Sequence, residues 1–185
     1  MLNSLQYLNF SEHMIEAIKF ALRYDPSPNP RVGAVLVDKN NKIKKITAHK
    51  EKDKDHAEYN LVKNSDITEN DTLYVTLEPC FHDDTSPSCA NAVLETNVQN
   101  IVVGDIDRDE RTNGKGIELL KNNDLNVSIE NGVNDFLNPG YKIKNDKPYL
   151  IGKVATSGDH IIYNEKKKYI TCLLYTSDAA DEVDR

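Results

Sequence analysis

His56-Ala57-Glu58, Pro79-Cys80 and Cys89 are the residues of this chain best suited to chemistry. One imidazole and two thiolates make a three-ligand set that holds Zn²⁺ and leaves its fourth position open, the pattern of a catalytic rather than a structural zinc. A closed structural site would need one more ligand, for which His49 and His82 are the candidates. Water in an open position has its pKa brought towards about 7 by the ion. Glu58 is then the expected proton shuttle, and it must stay off the metal, because a coordinated carboxylate cannot take up protons and hand them on. On a regular helix two residues of separation turn a side chain by roughly 200°. His56 and Glu58 therefore serve one metal only on an irregular first turn, with the ion above the helix N-terminus. Free N–H groups and the positive dipole end favour thiolates there. Cys89 also falls at a helix start, with Ser88 as its expected N-cap.

These residues need a scaffold, and the chain supplies one in alternation. Ser11 caps a helix whose apolar face is Met14, Ile15, Ile18, Ala21 and Leu22, and which must end by Pro26. Residues 26–30, Pro-Ser-Pro-Asn-Pro, form a rigid loop. The apolar run 32–37 predicts a strand buried on both faces, and after a turn residues 42–48 return as its hairpin partner. Helices are expected from near His56, over 89–97 and over 114–122, with strands over 72–77, 101–103 and 125–129. Such alternation predicts an α/β fold, a three-layer α-β-α sandwich with a mixed, mostly parallel central sheet. A linker around Asn138-Pro139-Gly140 leads to a further strand over 147–155. Nothing after Thr171 reads as a packed element, and the acidic run over 172–185, which contains Cys172, resembles translated adapter read-through.

Composition narrows the classes. The chain has 185 residues, 38% hydrophobic and 29% charged, and no apolar run of membrane-spanning length. Its N-terminus shows no signal-peptide pattern, so a cytoplasmic protein is expected. The formal charge of −7 argues against nucleic acid as a partner. Three cysteines without an export signal read as thiols or metal ligands, not as a disulfide framework.

The joint pattern resembles the H-x-E and P-C-x-x-C signature of nucleobase deaminases, although here eight residues, 81–88, separate the cysteines. That longer loop is expected to cover the pocket and contribute to substrate choice. Pro28-Asn29-Pro30-Arg31-Val32-Gly33, His49 ahead of His56, the run Val75-Thr76-Leu77-Glu78-Pro79-Cys80-Phe81-His82 and the long spacing to Cys89 resemble the pyrimidine deaminase of riboflavin biosynthesis. The resemblance covers about residues 12–171. It implies a cytidine-deaminase-like fold and the zinc-dependent, hydrolytic deamination of diaminohydroxyphosphoribosylaminopyrimidine. It implies zinc held by His56, Cys80 and Cys89, proton transfer by Glu58, and a phosphoribosyl pyrimidine held by Asn29, His49, His82 and Asp107. It also allows a homo-oligomer whose subunits complete one another's sites.

In that family the deaminase is fused to an NADPH-dependent reductase. Residues 147–153 and Ser157-Gly158-Asp159 resemble the reductase's opening strand and loop, with His160 where a glycine is usual. The expected organisation is a deaminase domain over 1–144, a truncated reductase start over 145–171 with no NADPH site, and a non-native tail over 172–185. Two departures concern the substrate phosphate. Thr85 stands where a basic residue is usual, beside Asp83 and Asp84, and Asp107-Arg108-Asp109-Glu110 replaces an Asp-Pro-Asn-Pro stretch, so that Arg108 becomes the candidate displaced cation. The rival readings are a cytidine, deoxycytidylate or tRNA-adenosine deaminase, and a non-catalytic zinc-stabilised binding module. The short cysteine spacing usual in the former and the presence of Glu58 against the latter discriminate them.

Overall fold

Five consecutive apolar or small residues, Gly33–Val37, form strand β1, and all five are buried. Such a strand needs cover on both faces, and it has it. In the computed structural model the described residues are 10–82 and 87–141. They belong to the first of the chain's two units, Met1–Lys144 and Asn145–Arg185. The expected strand over 147–155, the reductase-like segment, the tail and the Asp83-Asp84-Thr85 stretch lie outside the described residues.

The elements run α1 (Glu12–Ala21), β1, β2 (Ile43–Ala48), α2 (Ala57–Lys63), β3 (Thr72–Val75), α3 (Cys89–Leu94), β4 (Asn100–Val103), α4 (Lys115–Asn122), β5 (Asn126–Ile129) and α5 (Val133–Leu137). Alternate residues of β1 serve opposite layers, as strand geometry requires. Val35 and Val37 pack with Ala17 of α1, while Ala34 and Leu36 join Ala57 and Leu61 of α2. The same division continues across the sheet. Leu73, Val75, Ile101 and Val103 face Val93 of α3 and Ile117 and Leu120 of α4, whereas Tyr74 and Val102 face α1 and α5. Ser11 caps α1 as its sequence implies, its hydroxyl accepting the Met14 N–H at 3.3 Å. Gly33 admits α1 closely, since a Cβ there would lie 2.2 Å from the Ala17 carbonyl oxygen.

The sheet order is β2-β1-β3-β4-β5. β1 is antiparallel to both neighbours, while β3, β4 and β5 are mutually parallel. Four of the five strands thus run one way, and β1 alone opposes them. The register pairs Gly33 with Ala48, Ala34 with Val75, and Val75 with Val103. One edge of the sheet therefore gathers the entry to β1 and the exits from β2, β3 and β4. Asn29, His49, the Leu77–Cys80 turn and the Asp105–Arg111 loop all leave from that edge. This is the carboxyl-end crevice in which open α/β sheets bind ligands.

Two boundaries and one element depart from the sequence reading. β3 stops at Val75 because Thr76 turns its hydroxyl to accept the Gly33 N–H at 3.0 Å. α3 stops at Leu94, three residues short of the expected end. The stretch before Asn138 contains α5, which the apolar pattern did not reveal. Its Val133 and Leu137 complete the α1-side core with Met14, Ile18 and Ala21. Among the described residues no helix is long and apolar enough to cross a membrane.

Candidate active site

The first turn of α2 resolves the geometric difficulty between His56 and Glu58. His56 is not in the helix; it is the N-cap, with extended backbone at φ −62° and ψ 158°. Its ring swings to the end of the helix, while Glu58 follows helical geometry inside the first turn. His56 Nδ1 lies 3.6 Å from Cys80 Sγ and 3.4 Å from Cys89 Sγ. The three ligand atoms all lie within 4.8 Å of one another. Cys89 is the first residue of α3, capped by the Ser88 hydroxyl at 3.2 Å from Asn91 N. The Cys89 N–H donates to Cys80 Sγ at 3.2 Å, and Ala90 N–H donates to the Cys80 carbonyl at 3.1 Å. The α3 N-terminus thus presents its free donors to the sulfur, as thiolates prefer.

The donor set fits zinc. One imidazole and two sulfurs converge, and no fourth protein ligand stands with them among the described residues. The two thiols behave as one unit that shares a proton. Cys80 is pulled far below the usual thiol range, first by its hydrogen bond with Cys89 and then by His56. The same hydrogen bond, with burial, pushes Cys89 up. Beside them Glu58 is only 3% exposed, and its Oε2 is buried without a hydrogen-bond partner. Burial pushes its carboxyl up to about 7, against the partly opposing charge of His56. An orphaned carboxylate oxygen is costly to maintain, and such groups concentrate where chemistry needs them.

A cleft opens onto this corner. Asn29, His49, His56, Glu58, Cys80, His82 and Asp107 all line it, with Cys89 buried behind. His49 is positioned from both ring nitrogens. Asn29 Nδ2 donates to Nε2 at 3.1 Å, which leaves Nδ1–H to donate to the Asp55 carbonyl at 3.3 Å. Burial lowers the His49 pKa, consistent with that neutral form. Its ring meets the edge of His56 with centroids 5.1 Å apart. His82 Nδ1 is 3.2 Å from the Thr112 hydroxyl. Burial raises the carboxyl of Asp107, which also meets the Tyr141 hydroxyl; burial, then the Asp107 charge, raises Tyr141 in turn.

Arg111 and Tyr141, which no sequence motif marks, also line the cleft, as do Glu78 and Asp109, which lie inside the motifs without an expected role. Glu78 is the organiser. Its Oε2 accepts the Asp107 and Gly114 N–H groups at 3.0 and 2.8 Å, and Oε1 accepts Ile117 N–H at 3.1 Å. It thereby caps α4 from two residues before Cys80. Gly116 lets the helix approach, since a Cβ there would sit 2.1 Å from the Pro79 carbonyl oxygen. Two further carboxylates continue the chain: Asp107 Oδ1 accepts Asp109 N–H at 2.8 Å, and Asp109 Oδ1 accepts Arg111 N–H at 3.0 Å. The acid spacing of Asp107 and Asp109, which suits side chains that bond the backbone two residues on, was the available signal. Arg108 is not the arginine of the cleft. It pairs with Asp135 of α5 and reaches the Tyr141 carbonyl at 3.4 Å.

Residues 9–105 match the family described as the cytidine and deoxycytidylate deaminase zinc-binding region, and His56, Cys80 and Cys89 all fall inside that match. The chain belongs to this deaminase family. Two diaminohydroxyphosphoribosylamino-pyrimidine deaminases of Buchnera aphidicola are similar to it. That of subspecies Schizaphis graminum is 33% identical over 120 residues, covering 63% of this chain and 81% of that protein. That of subspecies Acyrthosiphon pisum is 36% identical over 119 residues, covering 64% and 80%. Among solved structures, form 1 of Acinetobacter baumannii RibD aligns with a TM-score of 0.68 at 32% identity, over 97% of this chain and 51% of that one. The chain thus spans most of the two Buchnera deaminases and about half of the Acinetobacter protein.

Proposed function

We propose that this chain is a zinc hydrolase that replaces the exocyclic amino group of diaminohydroxyphosphoribosylaminopyrimidine by oxygen and releases ammonia. The substrate is that of the Buchnera relatives by name, and the eight-residue cysteine spacing of this chain goes with it. The observation that carries the reaction is the buried, unpartnered Oε2 of Glu58 beside the His56, Cys80 and Cys89 triad.

His56 through Nδ1 and the two cysteines through sulfur would hold the ion, which would supply the Lewis acidity that brings a water's pKa towards about 7. Glu58 does the proton work. Its carboxylate takes one proton from the attacking water and gives it to the ring nitrogen beside the carbon under attack. It then moves the second water proton to the departing amino group. The C–N bond breaks, ammonia leaves neutral, the carbonyl forms, and Glu58 ends ionised as it began. Burial raises the Glu58 carboxyl from its ordinary range, which favours its taking up a proton as well as giving one back.

The remaining lining residues orient the ring. With His49 Nε2 accepting from Asn29 Nδ2, the Asn29 Oδ1 is left to accept from a substrate amino group. His82 and Asp107, anchored by Thr112 and Tyr141, offer polar groups to the rest of the molecule. The two thiols require a reducing compartment, so a cytoplasmic setting is part of this reading. Among the described residues, a lining with four carboxylates and one guanidinium suits a small polar molecule rather than a nucleic-acid backbone.

The test is ammonia release by zinc-loaded protein from the phosphoribosyl diaminopyrimidine, cytidine, deoxycytidylate and a tRNA adenosine. The first is expected to be best. Glu58→Gln is expected to keep zinc and lose about 10²–10⁴ in turnover, the usual scale of general acid–base catalysis. Preferred turnover of cytidine would refute the substrate, and unimpaired Glu58→Gln turnover would refute the shuttle. Stable zinc with no turnover of any substrate would favour a binding module.

A further inference from the structure

The cleft's charge is unbalanced in a way that bears on substrate recognition. Its lining carries the carboxylates of Glu58, Glu78, Asp107 and Asp109, and among the described residues a single guanidinium, that of Arg111. A phosphate monoester brings between about one and two more negative charges at neutral pH. Such a group needs a cation, ideally one whose planar fork matches its oxygens. The loop between the cysteines has no lysine or arginine in its sequence and carries Asp83, Asp84 and Thr85. Arg108 pairs with Asp135 of α5 and, unlike Arg111, does not line the cleft.

We propose that Arg111 binds the phosphate of the substrate, taking the place of a basic residue in the loop between the cysteines; this rests on the substrate reading above. The side chain is held ready for it. Arg111 Nε lies 3.2 and 3.3 Å from the two carboxylate oxygens of Asp109, and Nη2 lies 2.8 Å from Oδ2. One edge of the guanidinium is thus fixed, and with it the plane of the fork. Asp109 is itself only 8% exposed, and its backbone is tied through Asp107 to Glu78, the residue that leads into Cys80. The position of the cation is therefore set by the same chain of carboxylates that sets the metal-ligand turn. Its side chain is 56% exposed, unlike the buried Glu58 end of the cleft. A substrate with its ring at Glu58 and its ribosyl phosphate towards solvent would meet the groups in that order. Preorganisation of this kind lowers the ordering cost of binding.

The experiment compares kcat/KM for the phosphoribosyl substrate and its dephosphorylated counterpart in wild type, Arg111→Lys and Arg111→Gln, all zinc-loaded. The quantity read is the preference for the phosphorylated form. Arg111→Gln is expected to lower that preference about tenfold, mainly through KM, with Arg111→Lys between; the half-exposed side chain argues against a larger factor. Raising salt is expected to erode the wild-type preference more than that of Arg111→Gln. An unchanged preference, or equal losses on both substrates, would overturn the proposal. Failure of wild type on both substrates would instead sink the substrate reading, and binding of ribose 5-phosphate by calorimetry then decides for Arg111. Loss of that binding in Arg111→Gln supports the proposal; equal binding by the variant, or wild-type binding no tighter than that of ribose, overturns it.

Discussion

Glu78→Gln keeps the size of the side chain while removing a charge and one acceptor from a carboxylate that holds three backbone N–H groups. Two of them share Oε2, from Asp107 and Gly114, and the third, from Ile117, points at Oε1. A glutamine has one carbonyl oxygen, and its best orientation keeps that oxygen with the pair. Its NH₂ then faces the Ile117 N–H, donor against donor, in a position where Glu78 is 2% exposed. A buried unmatched N–H costs about 1–3 kcal/mol. Losing a negative charge at the start of α4 adds about 0.3–1 kcal/mol. The sum is about 3 kcal/mol, a large part of the roughly 5–15 kcal/mol that holds a domain of this size.

At about 3 °C per kcal/mol for a unit of this length, the expected fall in Tm is about 9 °C. Urea unfolding at fixed free zinc gives the free energy directly, since bound metal otherwise shifts the midpoint by mass action. Zinc dissociation, followed with a chromogenic chelator, is expected to quicken in the variant, because Cys80 sits two residues beyond the lost anchor. A variant within about 0.5 kcal/mol of wild type with unchanged zinc release would refute the role given to Glu78.

Other perturbations separate the metal, the core and a buried, paired carboxylate. Cys80→Ala or Cys89→Ala leaves two ligands and is expected to abolish stoichiometric zinc, as elemental analysis of the dialysed protein would show. Gly33→Ala forces a Cβ to 2.2 Å from the Ala17 carbonyl oxygen, so it is expected to destabilise by about 3 kcal/mol in urea unfolding, the scale of severe overpacking. Asp71 lies below its ordinary pKa: burial alone would raise it, but the Lys44 ammonium and the Thr68 N–H, each at 2.7 Å, outweigh burial. A depressed carboxyl gives stability above its unfolded value of 3.8 and loses it as pH falls through the folded value. Asp71→Asn is therefore expected to lose about 1–2 kcal/mol at pH 7 and to converge with wild type in acid, read from urea midpoints at both.

What could be read without the structure was whatever chemistry ties to residue type and short spacing. One imidazole, two thiols and a carboxylate at short spacing stand out because few other side chains can hold a metal or move a proton. The long strands and helices did so by period, and the extended run before Val37 foretold a strand covered on both sides. Features stabilised only through space stayed hidden. α5 has five residues, follows Gly132 with φ 87° and has no cap from its own N-cap residue, the Asn134 N–H being accepted instead by Asp105 Oδ2 at 2.8 Å; its Val133 and Leu137 dock on α1. Arg108 and Arg111 are indistinguishable as loop arginines until α5 claims one through Asp135. Strand β3 looked longer than it is because Thr76 and Leu77 continue the pattern of a strand. They leave it to let Glu78 reach α4.

That last departure shows why the site takes the form it does. A strand carried through Leu77 would point Glu78 along the sheet edge and leave the start of α4 with its N–H groups unmatched. Ending at Val75 instead turns Glu78 into the cap, which fixes Asp107 by its N–H and α4 by two others. Asp107 then fixes Asp109, and Asp109 fixes Arg111, each through a carboxylate that accepts the next N–H. On the other side Cys80 receives the Cys89 N–H and ties α3 to the same turn. His56, Cys80 and Cys89 are recognisable as residue types, and the hydrogen bonds from Glu78 and Cys80 hold in place the turn at which they converge. Substitutions at Glu78 should therefore disturb the metal and Arg111 together, whereas substitutions at Asp109 should disturb Arg111 and leave zinc affinity in place.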